Sequence, residues 1–472
     1  MKIKNINELN VHLEKFYSTY IWERRWHIIS INIIIPNCSD LNRGDQALVW
    51  ETKRIAEEAG FSGDYYMVAD SVEVSQSVQE GLKIVSPILK HPSRFFSTTK
   101  NVKYSLTLKI KWGIVAIWDF FVSLLLLIGV TRKLGLMLMP KKSKRSVDIF
   151  RKADGVFVKG GGFIHSYGGL TSLYYIYFSL YHIILAQSLG KSVYVMPNSF
   201  GPFKGPFVAN IVKKVMSKCK LVTSRESISA KQLSYLLSKK IDVFPDLAFY
   251  LEKADLCNIK HVLDNIPFKE KPCVAITARP YRFPGHNNPF QAYRDYKNAL
   301  ISFIKWLDGN DFYPVLVVHT RAIRQHESDK TCISEIAKKI ATECQFSIID
   351  DDTLDCRQLK AIYSQFDYIV GTRFHSIIFA MSEGVPGIAI TYGGNKGDGI
   401  MRDMNLSKYA IPISDLSFEI LRSRFEELIE NRQNVLDNIH LYKAKAVHKR
   451  EELIKEIMRI KGGKKDESFI CA

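Results

Sequence analysis

A chain of 472 residues is longer than one ordinary hydrophobic core supports, so two domains are expected. A hydrophobic share of 46% and a charged share of 24% are those of a globular protein. A net charge of +18 and a pI near 9.3 point to an anionic partner or surface. No nucleic-acid module announces itself, so nucleic acid is set aside and phosphorylated small molecules or an acidic membrane leaflet remain. Eight scattered cysteines (Cys38, Cys219, Cys257, Cys273, Cys332, Cys344, Cys356, Cys471) stand at neither metal-ligand nor redox spacing. A reducing compartment and no metal site are therefore expected.

Residues 1–26 form a polar leader without the apolar run of an export signal, and a cytoplasmic location follows as the expectation. The first domain is predicted over 27–257. It opens with a β-branched strand, His27 to Ile35, a polar loop, Ser39 to Ala47, and a helix through Ala59. Asn42, Gly44 and Asp45 stand at the tip of that loop, where a ligand would be met; an Asx turn with a helix N-cap explains the same residues. Tyr65 to Ala69 reads as the next strand.

An apolar insertion at about 105–145 then interrupts the pattern. Its central run, Gly113 to Val130, has near-minimal length for a membrane span but contains Asp119 and carries Lys and Arg on both sides. An ordinary buried helix is preferred, an interfacial helix on an anionic inner leaflet comes second, and a span comes last. Beyond it, Asp154 to Lys159 predicts a strand leading into Gly160, Gly161 and Gly162, whose bare amides leave room for a phosphate or carboxylate. His165 reads as a loop histidine. Strands follow at Ser192 to Met196, at Leu221 to Thr223 before Arg225, and at Ile241 to Phe244 before Asp246.

The polar stretch 258–271 is read as a linker, and a second domain is predicted over 272–420. Strands and helices alternate again: Cys273 to Thr277 before Arg279, helix 291–308, Tyr313 to His319, helix 327–342, Ser347 to Ile349, and helix 355–365. The charged tail 421–472 predicts one or two helices, packed outside or crossing between domains. The fold class is therefore α/β: two Rossmann-like doubly wound domains facing across a cleft, a GT-B-like arrangement.

The most telling stretch is Asp367 to Gly399. A strand, Tyr368 to Val370, runs into Gly371, Thr372, Arg373, Phe374 and His375; a second, Gly387 to Thr391, runs into Tyr392, Gly393, Gly394, Asn395 and Lys396. Strand ends in a parallel sheet face the ligand crevice, and helix starts there bind anions. Two cations, Arg373 and Lys396, beside the imidazole of His375 read as an anion site with a titratable group.

With these pieces in place, the chain resembles the polysaccharide pyruvyl transferase family from about residue 30 to 410. The resemblance rests on Asn42-x-Gly44-Asp45-x-Ala47, Gly160-Gly161-Gly162, Gly201-Pro202-Phe203, Ser224-Arg225-Glu226-Ser227-x-Ser229, Pro245-Asp246-x-Ala248-Phe249, Arg373-x-His375, Gly384-Val385-Pro386 and Tyr392-x-x-x-Lys396. The family more often has Asp where Glu226 stands and Leu where Phe374 stands; both changes keep the character of the side chain. The resemblance implies transfer of a pyruvyl group from phosphoenolpyruvate, with no cofactor, onto a sugar or lipid-linked glycan acceptor. His375 and Arg373 are then the expected catalytic pair. Arg225, Arg373, Phe374, Lys396, Arg279, Gly161 and Gly162 are expected on the donor, bound from the second domain, and Asn42, Asp45, Tyr392 and Asp246 on the acceptor. Arg225 and Arg373 are expected to meet on one ligand, His375 to be an acid/base of neutral range, and the enzyme to touch the anionic inner membrane peripherally. A glycosyltransferase using a nucleotide sugar, and a non-catalytic glycan-binding subunit, are the alternatives.

Overall fold

The computed structural model describes residues 30–70, 73–89, 106–169, 171–322 and 327–463. The leader and the start of the first predicted strand lie outside these residues. The first sheet comprises β1 (Ile31–Cys38), β2 (Asp64–Ala69), β3 (Leu82–Val85), β4 (Gly155–Val158), β5 (Gly161–Tyr167), β6 (Ser192–Lys204) and β7 (Leu221–Ser224). Every pairing is parallel, and the order runs β3-β2-β1-β4-β6, with β5 and β7 also on β6. β-Branched residues suit strands covered on both faces, and Ile33, Ile34 and Ile35 of β1 are buried. The second sheet comprises β8 (Cys273–Thr277), β9 (Tyr313–Val317), β10 (Ser347–Ile349), β11 (Tyr368–Gly371), β12 (Gly387–Thr391) and β13 (Ala410–Pro412), again parallel, in the order β10-β9-β8-β11-β12-β13.

Strand order reverses between β1 and β4 in one sheet and between β8 and β11 in the other, and crevices form at the carboxyl ends of such neighbours. The expected two doubly wound domains are what the chain builds. Several local expectations change. Ile241 to Phe244 is not a strand; Val243 makes a single bridge to Ser224. The glycine loop expected after β4 is strand β5, because β6 continues past the sheet and offers Asn198 to Lys204 as a further pairing edge. β4 and β5 thus line one edge of β6 in turn, while β7 takes the other.

The tail does cross between the halves. Helix Phe418–Glu430 packs on the second domain, and helix Arg432–Lys461 returns to the first. There Arg450 grips Glu58 through two hydrogen bonds of 2.6 and 2.8 Å, and the Lys461 ammonium meets the Gly60 carbonyl. One continuous hydrophobic core joins helix Arg43–Glu58 and Leu247, Ala248 and Leu251 to the whole second domain; a separate cluster covers the other side of the first sheet.

The insertion forms helix Leu106–Leu127, a short helix Arg132–Met137 folded back on it, and helix Lys141–Lys152. Among the described side chains of the long helix, only Val122, Ser123 and Leu126 are buried, against the helix Ser172–Ser188 through Tyr177 and Tyr181. The expectation of an ordinary buried helix therefore fails: Ile114 is 64% exposed and Ile117 72%, because one neighbour covers one side and nothing described covers the other.

Candidate active site

The two crevices face each other. After β1, Asn42 caps helix Arg43–Glu58: its Oδ1 accepts from the Asp45 amide at 3.3 Å and its Nδ2 donates to Asp45 Oδ2 at 3.0 Å. Asn42 also bridges to Thr320 of the second domain. The capping role weighed for Asn42 is the one the geometry displays. Across the reversal point Lys159, at the end of β4, donates to Asp45 at 2.8 Å. Burial favours neutrality for both groups, but their mutual attraction wins, lowering the Asp45 pKa and raising that of Lys159.

On the opposing domain, Gly371 and Thr277 are paired neighbours at the ends of β11 and β8. Thr277 Oγ1 bonds Ser376 Oγ at 2.8 Å, and Thr372 Oγ1 bonds the Tyr296 hydroxyl at 2.8 Å, which fixes the start of helix Phe374–Ser382. That start presents His375 to Gly44: a Cβ added at Gly44 would lie 2.0 Å from His375 Nδ1. Only a glycine allows the two domains to approach this closely here. The other ring nitrogen, Nε2, lies 3.8 Å from Asp246 Oδ2, beyond hydrogen-bond reach, and has no hydrogen-bond partner.

Asp246 and Arg225 are both 0% exposed. Arg225 Nη1 donates to Asp246 at 2.6 Å and its Nε to Ser199 Oγ at 2.8 Å, while Nη2 is buried without a partner and points at Gly162, 2.9 Å from where a Cβ would stand. Burial pushes the Asp246 carboxyl up, but Arg225, His375 and Lys396 together hold it well below the carboxylate range. Burial and the Lys396 charge press His375 down to about 4. Burial and Arg225 bring Lys396 down to about 7. Near neutrality the imidazole is therefore uncharged, and the group of neutral range is Lys396 rather than His375.

A cavity of about 290 Å³ opens beside this cluster, lined by Gly162, His165, Tyr167, Ser199 and Gly201 from the β5–β6 extension and by Phe374, Thr391, Tyr392 and residues 393–397 from the second domain. Lys396 keeps part of its surface toward the cavity, its ammonium 5.8 Å from the centre of the Phe374 ring. His165, read as a loop residue, instead belongs to the cavity wall. Gly162 lines the cavity, and Gly161, with φ of 150°, is buried behind it.

Arg373 is held elsewhere: its Nε donates to Asp329 at 2.7 Å and its Nη2 to the Glu327 carbonyl at 2.7 Å. The buried Asp329 carboxylate thus engages the Arg373 guanidinium, while the charges of both Arg225 and Arg373 act on Lys396, which lies between their influences. Arg279 stacks over Tyr392, 4.5 Å from its ring centre, and its Nη1 donates to the Tyr392 hydroxyl. Of the four residues expected on an acceptor, Tyr392 lines the cavity, whereas Asp246 is sealed behind Arg225 and Asp45 is tied to Lys159.

Lys159, Asp329, Ser199 and Gly44 as the seat of His375 are the participants that residue-by-residue reading passed over. The position of Lys159 directly before three glycines was a usable signal; Asp329 sits within a helix start and carried none.

Comparison with known proteins agrees with this architecture. S. aureus MnaA in its UDP co-structure superposes with a TM-score of 0.54 at 12% identity, covering 87% of this chain and 90% of that one. Anabaena HepE in complex with UDP and glucose gives 0.51 at 11% identity, covering 90% and 98%. At such identities the likeness concerns the fold alone. In sequence, the amylovoran biosynthesis protein AmsJ of Erwinia amylovora is 22% identical over 305 residues, 63% of this chain and 70% of AmsJ. The polysaccharide pyruvyl transferase family model matches residues 42–394, an interval that runs from the Asn42 cap through Arg225, Asp246 and His375 to the glycines before Lys396. Cap, buried pair, imidazole and glycine turn all fall inside that match, and the chain belongs to the polysaccharide pyruvyl transferase family, a transferase of polysaccharide biosynthesis.

Proposed function

We propose that the donor is phosphoenolpyruvate and that its pyruvyl group becomes a ketal on two hydroxyls of a glycan sugar, with release of phosphate. The observation that carries this reading is the convergence of Lys396, Arg225 and His375 where the two crevices meet, beside a cavity sized for a small anion. A ligand with both phosphate and carboxylate calls for more than one cation, and Arg suits planar oxyanions. Lys396, the free Arg225 Nη2 and the Gly162 backbone form one cationic side; Arg373, whose charge reaches Lys396, and Arg279, stacked on the cavity residue Tyr392, supply positive charge from the other.

His375 has a specific task. It stands uncharged in the free protein, but a bound dianion raises the pKa of any neighbouring imidazole. The donor then loads the imidazole with the proton that the reaction requires. That proton goes to the methylene carbon, a sugar hydroxyl adds to the central carbon, and the carbon–oxygen bond to phosphate breaks with its electron pair leaving on phosphate. The second hydroxyl closes the ketal, and the two hydroxyl protons replace the one taken from His375 and the one accepted by phosphate. Asp246 holds the imidazolium and is a positioning residue. No cofactor is asked for.

The test is phosphate release from phosphoenolpyruvate with a glycan acceptor. Release is expected only when both are present, and His375→Gln is expected to lower it by about 10²–10⁴-fold while donor binding persists. Thermal stabilisation by UDP-sugars with none by phosphoenolpyruvate would overturn the reading in favour of a glycosyltransferase, the reading suggested by the UDP held in MnaA and HepE.

A further inference from the structure

The insertion at 106–152 takes no part in the chemistry above, yet it carries the most apolar exposed surface of the described chain. On helix Leu106–Leu127 and the turn after it, Ile110, Ile114, Ile117, Phe121, Leu124 and Ile128 are all exposed. Their spacing of four and three residues puts them on one stripe of the helix, with Trp118 52% exposed alongside. Asp119, the one acid of this helix, lies off that stripe, close enough to the hydroxyl of Tyr174 to act on it electrostatically. Leu134 and Met137 of the short returning helix, with Leu138 just after it, extend the apolar surface, and Gly135 packs against Leu125 and Leu126 to hold the two helices together.

Charge identifies the occupant. Between 106 and 152 the sequence has ten basic residues (Lys109, Lys111, Arg132, Lys133, Lys141, Lys142, Lys144, Arg145, Arg151, Lys152) and two acidic ones, Asp119 and Asp148. A second copy laid on the stripe would bring two such basic sets together with almost no acid to offset them. An anionic bilayer offsets them and covers the stripe at once. We infer that this insertion is a docking surface for an anionic lipid bilayer, with the long helix lying in the headgroup plane. It stays there rather than spanning, because Val122, Ser123 and Leu126 are locked onto Tyr177 and Tyr181 of the folded domain. Along that same supporting helix Tyr175 packs 5.5 Å from His165, which lines the cavity, so the docked surface lies one helix away from the site.

The inference stands apart from the identity of the donor, and the vesicle-binding readouts that decide it do not use the donor. Full-length protein is mixed with vesicles of phosphatidylcholine alone or with a third of phosphatidylglycerol, followed by sedimentation and tryptophan fluorescence. Binding and a blue shift on anionic vesicles only, release by high salt, and loss of the shift but not of binding in Trp118→Phe are expected. Ile114→Glu with Ile117→Glu, and separately Lys141→Glu with Lys142→Glu and Lys144→Glu, should each weaken binding at least tenfold while leaving turnover of a soluble acceptor unchanged. Equal or absent binding on both vesicle types overturns the proposal, as does a lipid-free dimer abolished by the stripe variant. Resistance to both high salt and alkaline wash would mark a spanning helix and overturn it too.

Discussion

Two side chains at the centre of the site carry pKa values set by their surroundings. Burial, and then the Lys396 charge, hold His375 at about 4, and burial with Arg225 holds Lys396 at about 7. Both shifts disfavour the charged form, so a bound multivalent anion reverses them and draws protons from solution. At pH 7.5 the free imidazole is uncharged and Lys396 mostly so; binding phosphoenolpyruvate should therefore take up between one and two protons. Calorimetry in buffers of different ionisation enthalpy measures that number. The sign also fixes the pH dependence of affinity: it should fall as pH rises, by up to about tenfold per pH unit for each proton taken up, and most steeply above pH 7, where Lys396 as well as His375 is uncharged in the free protein. Lys396→Arg, which stays charged, should flatten that decline. Zero uptake with pH-independent affinity would show that the ligand does not lie against these groups.

At the level of single elements, helix Phe374–Ser382 and the loop before helix Arg43–Glu58 define each other. Gly44 has no room for a side chain because His375 occupies it. Gly44→Ala should displace the imidazole and lower phosphate release by about a hundredfold, with an unchanged circular dichroism spectrum. A full-rate Gly44→Ala enzyme would remove His375 from the mechanism. These elements were also the ones most readable in the sequence. A short buried strand ending in Gly371-Thr372-Arg373, followed by an apolar helix, follows from local pattern, and the crevice follows from parallel order. What could not be read was produced by distant pairing. β5 exists because β6 runs on past the sheet to receive it, and three glycines in a row give no hint of that edge. The commitment of Arg373 to Asp329 joins residues 44 positions apart, and the exposure of Ile114 and Ile117 depends on how few neighbours the insertion meets. Apolar periodicity predicts a helix but not whether anything will cover it.

Across the whole molecule, the site exists only where the halves touch. Ser227 donates its amide to Asp403 at 2.8 Å and its hydroxyl to the same carboxylate, Asn395 donates to the Phe200 carbonyl at 3.1 Å, and the Cys356 amide donates to Gln46 at 2.8 Å. These bonds tie the two halves together around the site, and any widening of the cleft has to break them. Asp403→Ala should raise KM for phosphoenolpyruvate several-fold, leave kcat within about twofold, and increase the radius of gyration of the free protein in small-angle scattering. An unchanged scattering profile and KM would show that this carboxylate does not govern closure.

The chain passes between the halves twice, once between β7 and β8 and again where helix Arg432–Lys461 reaches back to Glu58 and Gly60. Two fixed passages define a hinge line, and a swing about that line is the one large motion that strains neither. Any opening is then expected to follow that single rotation, and closing along it brings the His375 ring back to the one place at Gly44 that has room for it.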